Sequence, residues 1–301
     1  MTIARIEHMV RSVGPVGAGR RGAYMHLLLD HLTVIDVPPW DLPDLAAATG
    51  CDGVCLFLHA MSVLPRMADY DLVTDAAARR RVRSRFQERG VRMDLAYPFT
   101  LHGRSVATDF RPALDAAADL GIRAVNVLLY DRDAGRRHDQ FAAFCEEAAG
   151  RGLAVGVEFY PPSLVPDLPA AIAEVARIGR PGRVGITLDL LHLVRSGGDV
   201  AQVAALPAGS VLLAQLCDGP ARVAPGAREA EAARERGLPG QGDFDVAGFL
   251  RALPPDVPVS VEVPQEEAIL QGEAPLARAL RAVSAARAVA ARAVAEGHGP
   301  A

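Results

Sequence analysis

Two kinds of segment alternate along the chain. Short runs rich in Val, Ile and Leu, without helical periodicity, recur at Leu32–Val37, Gly53–Leu58, Val91–Leu95, Ala124–Tyr130, Leu153–Tyr160, Val184–Leu190, Val211–Leu216 and Val257–Val263. Continuous apolar runs of this length describe strands buried on both faces. Between them lie Ala- and Arg-rich stretches of helical character, among them Asp75–Gly90, Asp109–Leu120, Arg136–Gly150 and Leu168–Ile178, and the Ala-rich tail Ala274–Glu296 follows the last run. Gly90, Gly121 and Gly152 fall just after a helix and just before a strand, where a left-handed cap belongs.

Strand and helix alternating at a period of roughly 30 residues predict a parallel sheet. Eight such units predict a single closed (β/α)8 TIM barrel over residues 27–297, preceded by an N-terminal extension of residues 1–26. An open dinucleotide-binding sheet would carry a Gly-rich turn after its first strand, whereas the turn here reads Val37-Pro38-Pro39-Trp40-Asp41. A polar insert, Asp218–Asp245, follows the seventh run, on the face where barrels carry function.

Composition narrows the chemistry. The 301 residues are half hydrophobic and 23% charged, enough apolar surface for one large core. A net charge of −4 offers no global field for nucleic acid or anionic membrane. All 32 cationic side chains are arginine, which excludes a Schiff-base lysine, a lysine general base and a lysine-bearing phosphate loop. No apolar run is long enough to span a membrane, and Met1–Arg11 lacks the pattern of a secretory signal. Cys51, Cys55, Cys145 and Cys217 are too few and too scattered for a disulfide framework, so a cytoplasmic location is expected.

A barrel builds its active site at the C-terminal ends of its strands. Four consecutive strands carry a carboxylate or amide there: Glu158, Asp189, Gln215 and Glu262. Ionised carboxylates in apolar surroundings need compensation. No lysine exists to supply it, and no arginine stands next to any of the four. One divalent cation would compensate all of them, and the oxygen-rich set favours Mn²⁺ or Mg²⁺, Mn²⁺ first, with Co²⁺ also admissible.

These residues resemble the xylose-isomerase-like TIM barrels, which include sugar isomerases and epimerases, inosose and dehydroshikimate dehydratases, and endonuclease IV. The resemblance rests on Val157-Glu158-Phe159, Asp189-Leu190-Leu191-His192, Gln215-Leu216-Cys217-Asp218, the stretch from Arg236 to Gly242, and Val261-Glu262-Val263. It implies that Glu158, Asp189, Gln215 and Glu262 bind one metal ion. Ketose 3-epimerases usually carry histidine at the third position. Gln215 is similar instead to the hydroxypyruvate-isomerase, inosose-dehydratase and dehydroshikimate-dehydratase branches.

A metal ion that polarises a substrate carbonyl acidifies the adjacent C–H bond and stabilises the resulting ene-diolate. Glu158 and Glu262 would then pass the proton from one side to the other, giving an isomerase or epimerase of a sugar or related hydroxy-carbonyl compound. Expulsion of a β-hydroxyl with His192 as the acid would make the same site a dehydratase. His192, Arg236, His59 and Trp40 are the candidate substrate contacts. Arg236 could equally be a solvated loop arginine, whereas strand-end histidines such as His59 and His102 are more often satisfied structural donors, and a lone tryptophan such as Trp40 more often serves packing. A non-catalytic sugar-binding barrel and an endonuclease IV-like nuclease are the rival readings, and the nuclease would need further histidines and a basic face. The expected partner is a small molecule, with neither nucleic acid nor membrane, and the N-terminal extension leaves room for a homo-oligomer.

Overall fold

In the computed structural model, which describes residues 25–297, eight parallel strands close into a barrel in chain order. They are β1 (Leu27–Asp30), β2 (Gly53–Phe57), β3 (Arg92–Leu101), β4 (Ala124–Leu129), β5 (Ala154–Glu158), β6 (Val184–Asp189), β7 (Val211–Leu216) and β8 (Val259–Val261). Closure comes from β8 pairing with β1, Leu28 opposite Ser260. The expected (β/α)8 barrel is thus the fold, and seven of its strands overlap the apolar runs read from the sequence.

The first strand is the correction. Leu32–Val37 is not a strand; β1 lies just before it, and His31–Val34 forms a 3-10 turn. Two apolar runs stand back to back in this region, and hydropathy alone does not choose between them. Asp30 settles the boundary, because its carboxylate accepts from the Leu32 amide at 3.0 Å and starts the turn. Thr33 then folds over the end of β8, donating to the Val261 carbonyl at 2.8 Å and accepting from the Val263 amide at 2.9 Å. Residues 1–24, and with them most of the expected extension, lie outside the described residues, as do 298–301.

Aspartate starts helix after helix around the barrel. Asp75 accepts from two backbone amides at the start of α2 (Ala76–Arg89), and Asp133 and Asp167 cap α4 (Ala134–Ala149) and α5 (Leu168–Ile178), α1 (Leu42–Thr49) and α3 (Arg111–Leu120) lying earlier in the chain. Glycines in the left-handed region close α1, α2, α3 and α5. The helices that follow are α6 (Leu190–Arg195), α7 (Val200–Ala204), α8 (Arg228–Arg234), α9 (Val246–Ala252), α10 (Glu266–Leu270) and α11 (Pro275–Gly297). Arginines lace neighbouring helices: Arg85 and Arg89 of α2 reach Asp44 of α1, Arg79 and Arg83 of α2 reach Asp119 of α3, and Arg111 of α3 reaches Glu147 of α4. Exposed pairs of this kind add little stability singly. Arg278 differs, being fully buried in α11 with both Asp36 oxygens within 2.7 Å, so it pins the last helix to the first βα turn. Among the described residues no helix is long and apolar enough to cross a membrane.

His31 gives the fold a pH limit. It is wholly buried, donates from Nε2 to the Val37 carbonyl at 2.8 Å, accepts the Phe57 amide on Nδ1 at 3.4 Å and stacks on Tyr70. Burial pulls its pKa down to about 4, against the Val37 hydrogen bond and nearby Asp36, which favour the charged form. The unfolded chain takes up this proton below about 6.5 and the folded chain only near 4, so its contribution is complete above 6.5 and lost as the pH falls towards 4. Across that window it should cost about 3 kcal/mol of stability. Urea unfolding at pH 7 and pH 4.5 should show a smaller drop for His31→Gln than for the wild type; equal drops would remove His31 as the cause.

Candidate metal centre

Register brings the strand-end polar residues to one mouth of the barrel. Glu158 pairs with Thr187, Asp189 with Gln215, and Gln215 with Ser260, so each candidate stands level with, or two residues beyond, its neighbour's partner. Alternate residues of a strand share a face, and Asp189 and Glu262 therefore project on the same side as Thr187 and Ser260. All four candidates are buried. Register thus places the four at one mouth, while among the described residues the acidic and imidazole ligand atoms that converge are those of Glu158, Asp189 and His192, without Glu262.

Asp189 has two tasks. Its Oδ1 accepts from the Leu191 and His192 amides at 2.6 and 3.3 Å, capping α6. That cap fixes where α6 starts and so carries His192 to the site. The His192 ring lies with Nε2 3.4 Å from Glu158 Oε1 and 3.7 Å from Asp189 Oδ2, and 4.8 Å from the Tyr160 ring. Glu158, Asp189 and His192 each offer a ligand atom, all within 4.8 Å of one another.

An arginine does compensate these carboxylates, contrary to the expectation from sequence neighbours. Arg236 Nη1 donates to Asp189 Oδ2 at 2.8 Å and Nη2 to Glu262 Oε1 at 3.4 Å, while Nε donates to the Ala232 carbonyl. Its side chain is 2% exposed, so the solvated-loop alternative is excluded. The 218–245 insert delivers it by folding back on the barrel. Asp218 organises the return, accepting from the Gly219, Gly240 and Phe244 amides at 2.8 to 3.0 Å. Gly242 permits it, because a Cβ there would stand 2.3 Å from Asp218 Oδ1 and 2.5 Å from the Gly219 carbonyl oxygen. Arg195 of α6 clamps the insert through Glu231, their side chains both nearly buried.

One guanidinium against three carboxylates leaves a formal charge of −2. The consequence is uneven. Burial alone would raise Asp189, yet Arg236 and then His192 hold it below its ordinary value. Glu262 is driven well above its ordinary value by burial, reinforced by Asp30, Asp189 and Glu158, with Arg236 opposing. Two acceptors of the set, Gln215 Oε1 and Glu262 Oε2, are buried without a hydrogen-bond partner. Unpaired buried oxygens beside excess negative charge fit a divalent cation.

Residues not anticipated from the sequence support this mouth from inside. Asn126 of β4 donates from Nδ2 to Glu158 Oε2 at 2.5 Å, fixing the carboxylate. Asp30, pushed up to about 6 by burial against the hydrogen bonds that lower it, accepts from Tyr97 and, at 3.0 Å, from Ser260 Oγ. Asn126 carries the same signal that identified Glu158, a polar residue inside an apolar run.

A cavity of about 170 Å³ opens over the centre, with Glu158, His192, Arg236 and Glu262 as its polar floor. His59 and Trp40 do not line it. His59 faces the Ala60 carbonyl and bridges to Asp71, and Trp40 lies beneath the Arg81 guanidinium at 4.2 Å. His102 is exposed beside Arg104 and Ser105. Replacing Arg236 by Met leaves Asp189 and Glu262 without their shared counter-charge and should cost about 3–5 kcal/mol. Urea unfolding in chelator measures it, and a loss below about 1 kcal/mol would refute this pairing as the one that compensates the acids.

Comparison with known proteins bears on this barrel. No curated protein sequence matches the chain. Its fold is shared with a xylose isomerase-like TIM barrel/4-hydroxyphenylpyruvate dioxygenase fusion protein (TM-score 0.75, 20% identity), of which the chain spans 45% while 93% of the chain itself is covered. The IolI protein with a bound zinc atom is similar over 92% of this chain and all of its own (TM-score 0.65, 18% identity). A D-allulose 3-epimerase from Methylomonas sp. is similar over 88% of this chain and 98% of its own (TM-score 0.65, 14% identity). A protein described as the probable 3-DHS dehydratase of petrobactin synthesis in Bacillus anthracis has the same fold. A family model, xylose isomerase-like TIM barrel, matches residues 43–286. The chain belongs to the xylose isomerase-like TIM barrel family.

Proposed function

We propose that this protein is a divalent-metal-dependent isomerase or epimerase of a hydroxy-carbonyl compound. The observation that carries the reading is the pair of unpartnered buried oxygens, Gln215 Oε1 and Glu262 Oε2, in a site whose three carboxylates outnumber its one guanidinium. Glu158, Asp189, Gln215 and Glu262 would hold the ion, with His192 beside them. Mn²⁺ is the first choice for a set dominated by oxygen, and the zinc bound by IolI keeps softer ions in view. Once bound, the ion supplies Lewis acidity that polarises a substrate carbonyl.

The protein's own groups supply the proton transfers. Glu158 and Glu262 line the same cavity from β5 and from the end of β8, with two strands between them. One takes the proton from the carbon beside the carbonyl and the other returns a proton to the neighbouring carbon or the opposite face. Asn126 holds one oxygen of Glu158, which leaves the other for the substrate side. The same bond orients the Glu158 carboxylate. Arg236 keeps Asp189 ionised and anchors one oxygen of Glu262, acting as a positioning group rather than a substrate contact.

Dehydration is the second reading, favoured by one feature. His192 lines the cavity with Nε2 3.4 Å from Glu158, near enough to serve as the acid for a departing hydroxyl. The epimerase and dehydratase among proteins of this fold are consistent with either outcome.

Elemental analysis of protein purified without added metal should find about one ion per wild-type chain and little in Glu262→Gln. Equal loading of both would move the metal to other ligands. Glu158→Gln, assayed with Mn²⁺ in excess so that any weakened metal binding is made good, should lower turnover by roughly 10²–10⁴-fold. Wild-type turnover in that variant would eliminate the two-glutamate mechanism.

A further inference from the structure

The floor and the wall of the cavity have opposite character. Every charged group lies on the floor. Tyr160, packed against the His192 ring, is the one wall residue with a polar tip; the rest of the wall is Leu32, Phe57, Leu64, Leu128, Ala232 and Ala233. These six come from separate parts of the chain: the turn after β1, the end of β2, the loop from β2 to α2, the end of β4 and the helix of the insert. Five independent segments converge on the same polarity. Two of the groups expected to serve a sugar, Trp40 and His59, are engaged elsewhere.

Much of the floor's hydrogen-bonding capacity is already committed, and the oxygens left over, Glu262 Oε2 among them, are those assigned above to the ion. Arg236 spends its guanidinium on Asp189, Glu262 and the Ala232 carbonyl. Glu158 gives one oxygen to Asn126. Asp218, next along from β7, is consumed by three backbone amides of the insert. A polyhydroxylated sugar carries a hydroxyl on every carbon but the carbonyl carbon, and those beyond the reacting pair would face leucine, phenylalanine and alanine. Each hydroxyl stripped of water without a partner weakens binding by roughly tenfold. Hydrocarbon at the same places gains from the wall. The volume, about 170 Å³, is also below the ~300–1,000 Å³ of pockets for drug-sized ligands, so the occupant is small.

We infer that the substrate is a small 2-hydroxy ketone with a hydrocarbon body, an acyloin or a cyclic hydroxy ketone, and not a polyhydroxylated sugar. The inference rests on the isomerase reading of the same site. The reaction balances without any co-reactant. The C–H bond of the carbinol carbon breaks, its proton goes to a glutamate, and its electron pair forms a double bond to the carbonyl carbon. The displaced C=O pair moves to the carbonyl oxygen, which takes the proton given up by the original hydroxyl; the glutamate-borne proton then goes to the second carbon, so carbonyl and carbinol exchange with no net gain or loss of atoms.

The test compares 2-hydroxycyclohexanone with D-fructose on the wild-type protein supplemented with Mn²⁺. Calorimetry reads binding, and mass spectrometry reads deuterium uptake from heavy water. The expected result is at least ~10-fold tighter binding of 2-hydroxycyclohexanone, narrowed by Leu128→Asn and by the rim variant Leu64→Ser. Fructose binding as tightly or more tightly overturns the inference, and so does failure of both compounds to bind at millimolar concentration. The two readings separate cleanly. Tight binding of the cyclic ketone without deuterium uptake upholds the substrate class and sinks the isomerase, whereas preferential binding and exchange of fructose does the reverse.

Discussion

A single guanidinium buried between two carboxylates governs the electrostatics of this barrel. Arg236 touches Asp189 at 2.8 Å and Glu262 at 3.4 Å, and the closer acid receives more of its charge. Asp189 is accordingly held down while Glu262 is driven up. Had the arginine sufficed, both acids would be held down. The shortfall sits on the Glu262 side, where Oε2 has no partner and Gln215 Oε1 is likewise unpaired. Excess negative charge and free lone pairs therefore coincide, which is the condition under which a divalent cation is favoured over a further hydrogen bond.

This arrangement depends on distant parts of the chain. The insert must fold back through Asp218 before Arg236 can reach the site, and it is held by Arg195 and Glu231. Asp189 cannot be considered apart from α6, since the oxygen that caps the helix is the partner of the one that meets Arg236. The Asp-x-x-His spacing then has a mechanical meaning. A residue that caps a helix places the side chain three positions later on the same side of its first turn, and here that side chain is His192. Below them, Asp30, Tyr97 and Ser260 form a polar layer inside the barrel where hydrocarbon would be less costly.

The sequence made the floor legible and left the rest obscure, for physical reasons. Glu158, Asp189, Gln215 and Glu262 stand out because each interrupts a run that is otherwise apolar, and parallel strands of a barrel all end at one mouth. Asn126 carried that signal as well, but in mid-strand, where strand-end reasoning does not look. Arg236 stands in a recognisable motif, yet its partners depend on how a 28-residue polar insert folds, and no local periodicity encodes that return. The misread first strand has a similar cause. Two adjacent apolar runs compete, and the choice is made by Asp30 and Thr33 through bonds to a turn and to β8, more than 200 positions away. His59 and Trp40 end or follow strands as a contact should, but their side chains are claimed by a neighbouring carbonyl and by Arg81.

Floor and wall thus arise from different kinds of structure. The strand-end acids of the floor are set by strand register, which locks side chains to one face and one height, because a slip of one residue would send each of them to the opposite side, while His192 and Arg236 join them from α6 and the insert. The wall is assembled largely from turns, a loop and the insert, which can change polarity without disturbing the sheet. The family resemblance runs through the floor, in Glu158, Asp189, Gln215 and Glu262, and so it speaks to the type of reaction. It says nothing of the substrate, which in the proposed reading meets the protein mainly at the wall. A floor shared with the family and a hydrocarbon wall are for that reason not contradictory: in the proposed function the acids would determine which bond to hydrogen is made labile, and the leucines which molecules come close enough for it to matter.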